Sequence, residues 1–187
     1  MTRLGRLSVS SVLVALLLFG SGITVYAQDA SSHGSPLSVT LRPGETKTAK
    51  LILPNKPNND YEVAYLELTG SLEMQEAPTT ISSCRGILTI YNGVGNPLWR
   101  WDSTEVYDYH DLLVWPQYNS STPSTFQFGW AYDHSGLSQQ GWGSTAAVVT
   151  STGYFTYFGG FQRSYGEIEF YLNGSGNCSI YSATGNW

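Results

Sequence analysis

The feature that most constrains this chain is a period of two. From Phe126 to Tyr132 every second residue is aromatic, with Phe126, Phe128, Trp130 and Tyr132 separated by Gln127, Gly129 and Ala131. Successive side chains of an extended strand point to opposite faces, so this spacing sets the rings in one row, whereas a helix would scatter them around its axis. The stretch Thr125–Asp133 therefore reads as a central strand with Phe126, Phe128 and Trp130 in the core. The same alternation runs through Leu37–Leu41, through Ala49 and Leu51, and through Ile168, Phe170 and Leu172 set against Glu167, Glu169 and Tyr171. Turn residues punctuate these runs: Arg42-Pro43-Gly44-Glu45, Asn92-Gly93, Gly159-Gly160 and Asn173-Gly174. Helical periodicity is nearly absent, and only Glu73–Thr80 could form a helical turn. The expectation is an all-β chain, a β-sandwich or jelly-roll-like fold of about ten short antiparallel strands, with a closed barrel as the alternative. No repeat at a fixed period points to a propeller.

The first residues read as a leader. Arg3 and Arg6 precede an apolar run from Val12 to Phe19, and Val25-Tyr26-Ala27 places small or aliphatic side chains around a cleavage point before Gln28. The run is short and broken by glycines, so a spanning helix is the weaker reading. This divides the chain into a signal peptide (1–27), a short flexible tail (28–36) and a single β-sandwich domain (37–187), with a secreted location. The formal net charge is −5. Loss of Arg3 and Arg6 makes it more negative. An acidic chain without a basic cluster weighs against nucleic acid, and against a membrane once the leader is gone.

The two cysteines, Cys84 and Cys178, are expected to pair, as lone cysteines of exported chains usually do. A bridge closing so long a loop is worth about 4–5 kcal/mol in the chain-entropy account. It would tie the last strand to the middle of the chain.

Strong catalytic signatures are missing: there is no His-Glu-x-x-His, no Gly-x-Ser-x-Gly, no phosphate-cradling loop and no Cys-x-x-Cys. The richest polar stretch is Asp102–Asp111, read as an acidic, aromatic loop. Its carboxylates Asp102, Glu105, Asp108 and Asp111 could coordinate Ca²⁺, which takes oxygen ligands from irregular loops. Two of them could instead serve as the acid and nucleophile of a secreted glycoside hydrolase. His110 and His134 each adjoin an aspartate, and would form a zinc or acid–base site if their loops met.

Aromatic residues offer a different chemistry. A ring presents an apolar, electron-rich face that matches the C–H face of a sugar. Trp142 lies between two glycines, outside any strand pattern, and is the best surface candidate. Tyr107 and Tyr109 join it, with Trp99 and Trp101 sharing one face nearby. The favoured function is a secreted, non-catalytic module binding a glycan or cell-surface polymer through loop aromatics. The alternatives are the hydrolase and a structural or adhesive envelope protein that polymerises by strand addition.

Overall fold

The computed structural model describes residues 24–26, 37–52, 63–74 and 80–185. They form eleven strands: β1 (Thr24–Tyr26), β2 (Leu37–Leu41), β3 (Thr46–Ile52), β4 (Val63–Met74), β5 (Ile81–Asn92), β6 (Pro97–His110), β7 (Leu113–Thr125), β8 (Trp130–Gln140), β9 (Ala146–Tyr157), β10 (Gln162–Asn173) and β11 (Cys178–Gly185). Among the described residues there is no helix. Two sheets pack face to face, with strand orders β1-β3-β4-β5-β6-β7 and β2-β11-β10-β9-β8. All neighbours are antiparallel except β1, which adds to β3 in parallel. The fold is the expected all-β sandwich. Each sheet is built largely by a meander; β1 and β2 belong to different sheets, and the chain changes sheet again at the β2–β3 and β7–β8 turns.

β1 falls inside the segment expected to be a leader; the rest of that leader and the 28–36 tail lie outside the described residues. The helical turn expected at Glu73–Thr80 begins inside β4, and residues 75–79 are also outside the described set.

Alternation explains the core. Leu66, Leu68 and Leu72 of β4, Leu88 and Ile90 of β5, and Ile168, Phe170 and Leu172 of β10 are all buried between the sheets. Trp99 and Trp101 project inward from β6. Trp99 stacks on Phe155 with centroids 4.2 Å apart, and Trp101 meets the same ring edge-on at 6.4 Å. Such pairs add about 0.5–1.5 kcal/mol beyond the area they bury. Glycines opposite make room for them. A Cβ on Gly153 would lie 2.4 Å from Trp101, and one on Gly166 would lie 2.7 Å from Trp99. Cys84 and Cys178 are bonded, with Cα atoms 6.4 Å apart. The bridge ties β5 of one sheet to β11 of the other, so the C-terminal strand is docked as expected.

Two expectations are corrected. Asp102–His110 is not a loop but the second half of β6, which runs on without a break. Its inward positions include Ser103 and Glu105, so no apolar row marks the strand in the sequence. Nor is Thr125–Asp133 one strand. β7 ends at Thr125 and β8 starts at Trp130; residues 126–129 turn the chain from one sheet to the other. Gly129 has φ +93°, a conformation that suits glycine. Trp130 is buried, but Phe126 and Phe128 are exposed. An apolar residue at alternating spacing is not thereby an interior one, because folded surfaces carry many apolar atoms.

Candidate functional site

The outer face of the six-stranded sheet carries the candidate site. Four consecutive strands each contribute two polar residues at i and i+2: Ser71 and Glu73 from β4, Ser83 and Arg85 from β5, Asp102 and Thr104 from β6, Ser120 and Thr122 from β7. They line a cleft of about 300 Å³. Pairing sets their rows. Ser71 faces Arg85, Arg85 faces Thr104, and Thr104 faces Ser120, giving one line across four strands. Arg85 reaches diagonally to Asp102, donating from Nε at 2.9 Å and from a terminal nitrogen at 2.5 Å. These hydrogen bonds and the charge of Asp102 raise the guanidinium pKa, with a further contribution from Glu73. A fork–fork pair of this kind is rigid and leaves hydroxyls and further carboxylate and guanidinium edges open to a polar ligand.

Rings continue along the same face. Tyr118 stands opposite Val106, one row beyond Ser120, and is exposed. Trp115 stands opposite Asp108, with the His110 imidazole stacked on it at 3.9 Å. Gly143, next to Trp142, sits against the Trp115 indole: a Cβ there would be 3.2 Å from Nε1. Trp142 itself is 66% exposed, as the sequence led us to expect.

The other residues proposed for ligand binding are placed differently. Trp99, Trp101 and Tyr107 are fully buried and present no ring face to a ligand. The Tyr107 hydroxyl donates to the Gly176 carbonyl at 2.8 Å, and Tyr109 packs on the edge of the core against that glycine. Both tyrosines serve to hold the turn between β10 and β11.

The four carboxylates do not gather. Asp102 and Asp108 point outward from β6, six residues apart, which is about 20 Å along a strand. Asp108 accepts a hydrogen bond from the Thr80 hydroxyl. Glu105 points inward, and Asp111 sits in the two-residue turn after β6. Among the described residues no cluster of three His, Cys, Asp or Glu side chains could hold a metal. The histidines are also apart. His110 ends β6, whereas His134 lies on β8, the edge strand of the other sheet, and stacks on Tyr154. His134 is two residues from Tyr132, which packs on Trp101. His110 lies nine positions along β6 from that tryptophan, a rise of about 30 Å. The turns do partly meet, since Val114 bridges Ser144 and Leu112 bridges Gly174.

Glu105 is the unusual group. Only 1% of its surface is exposed. Burial pushes its carboxyl up to about 7, opposed by a hydrogen bond from Asn119 Nδ2 at 3.2 Å. Asn119, Ser103, Ser121 and Ser151 continue this network across the sheets to the Trp101 indole nitrogen. It satisfies polar groups inside the sandwich.

Sequence reasoning missed Arg85, Glu73 and the hydroxyl rows. The i, i+2 polar pairs were visible strand by strand, but their alignment depends on register. No protein-family model matches the chain, and no curated protein or solved structure matches it.

Proposed function

We propose that this chain is a secreted β-sandwich module that binds carbohydrate in the cleft on the outer face of its six-stranded sheet. The observation that carries the reading is the cleft itself: aligned Ser and Thr hydroxyls, the Arg85–Asp102 pair and Glu73, flanked by the exposed Tyr118 ring. Planar charged forks and hydroxyls suit the vicinal hydroxyls of a sugar, and a neighbouring ring suits its C–H face. The Cys84–Cys178 bridge supports an oxidising compartment. N-terminal sequencing of the exported protein should begin at Gln28.

Binding is tested on a glycan array, followed by calorimetry with the best ligand. Arg85→Ala should abolish binding, and Tyr118→Ala should weaken it by roughly tenfold, the worth of one stacked ring. Trp142→Ala should matter less, because Trp142 lies beyond the cleft. An array without a binder, or affinity unchanged in Arg85→Ala, would refute the proposal.

A further inference from the structure

Arg85, at the centre of the cleft, carries the planar fork that suits an acidic sugar, but it is not free to meet one. Its guanidinium already grips Asp102, at 2.9 and 2.5 Å. The Glu73 carboxylate stands close enough to act on the same positive charge. One cation thus serves two carboxylates, and the cleft carries a net negative charge. Among the described residues no cation lies within salt-bridge reach of Glu73.

The other charges of this outer face leave that balance in place. Lys50 faces Glu67 in register, and Arg100 continues the same row through Thr89, whose hydroxyl accepts from its Nε at 3.2 Å. That row crosses β4 six residues from Glu73, about 20 Å along the strand. Beyond Glu73 on the other side, Asp108 adds a further carboxylate, with His110 Nδ1 3.7 Å from it. The acidic end of the face is therefore the end where Glu73 stands.

Register also sets what shares a row with Glu73. It faces Ser83, Ser83 faces Val106, and Val106 faces the exposed Tyr118. Three strand spacings separate carboxylate from ring, about 14 Å. A sugar stacked on Tyr118 is thus not the sugar that meets Glu73, and a ligand that uses both is an oligosaccharide lying across the strands.

We propose, building on the carbohydrate reading above, that the cleft selects an oligosaccharide of amino sugars whose nitrogens are unacetylated. One of its rings rests on Tyr118, and the ammonium of another pairs with Glu73. Arg85 spends its remaining N–H donors on hydroxyls. An ammonium offsets the charge that Arg85 leaves uncompensated. An N-acetyl group removes that attraction, and a uronic acid replaces it with repulsion from Glu73 and Asp102.

The test is calorimetry at low salt with four trisaccharides: β-1,4-linked glucosamine, β-1,4-linked N-acetylglucosamine, cellotriose and α-1,4-linked galacturonic acid. The glucosamine trisaccharide should bind roughly fivefold more tightly than cellotriose, the upper worth of an exposed ion pair. Added salt should shrink that advantage. Glu73→Gln should bring the glucosamine trisaccharide to the level of cellotriose, and Glu73→Lys should turn the preference toward galacturonic acid. Glu73 is exposed near the end of β4, so thermal melts of both variants should match the parent. Equal binding of the glucosamine trisaccharide and cellotriose overturns the amine preference and leaves the carbohydrate cleft standing. Tightest binding of galacturonic acid also overturns it, and makes Arg85 an anion receptor. A preference that persists in Glu73→Gln removes Glu73 from the site. If no trisaccharide binds and the glycan array also shows no binder, the carbohydrate reading fails and the amine preference falls with it.

Discussion

Asp102 and Glu105 sit three residues apart on β6 and occupy different media. Asp102 faces outward, pairs with Arg85 and lines a polar cleft. Glu105 faces the other sheet, receives one hydrogen bond from Asn119 and has no cation within salt-bridge reach among the described residues. One strand thus presents two chemistries, divided by the pleat alone. The outer face keeps its polar groups in contact with water, so they stay solvated without needing partners inside the fold. The inner face is built for packing, and its lone carboxylate is tolerated only with its proton held more tightly than usual.

The sharpest way to break this contrast is to remove inner bulk. Trp101→Ala should cost about 3–5 kcal/mol in chemical denaturation, as large aromatic truncations in cores do. A loss below 1 kcal/mol would mean that the slot beside Gly153 is not tightly filled. Breaking the inter-sheet tie comes next: Cys84→Ser with Cys178→Ser should cost about 2–5 kcal/mol.

Glu105 sharpens the contrast through pH. Its folded value of about 7 stands above the ordinary 4.5, so the folded state holds a proton that the unfolded chain has released between those values. Stability should therefore be greatest in acid, with regard to this group, and fall as pH rises from about 4.5 to about 7, by roughly 3 kcal/mol at most. Glu105→Gln should flatten that slope in melts taken across the same range. An unchanged slope would place the titration elsewhere. The smallest effect belongs outside: Asp102→Asn should change stability by less than about 1 kcal/mol, because the pair is partly exposed. A larger loss would make the outer pair structural and weaken the case for a ligand cleft.

How much of this was legible beforehand differs by element. The Pro43-Gly44, Asn92-Gly93 and Asn173-Gly174 turns were plain, since turn chemistry is written in a few adjacent residues; that the first of them joins strands of different sheets and closes no hairpin was not. Trp142 was legible as a surface ring because glycines flank it. β6 beyond Asp102 was not, because its inward positions hide a serine and a glutamate among the rings. Phe126 and Phe128 misled for the opposite reason. Their spacing was that of a strand, yet Gly129 after them already carried the turn.

The amino-acid sequence by itself determined an all-β chain, the positions of most turns and the partners of the disulfide, since these follow from period-two patterning and from cysteines that have no other mate. The tertiary structure alone decided which rings are core and which are exposed, which carboxylate is buried, and how four separate i, i+2 pairs line up as one cleft. Those outcomes depend on strand register and on where the chain passes between sheets. Both are set by contacts between residues far apart in the chain, which no local pattern records.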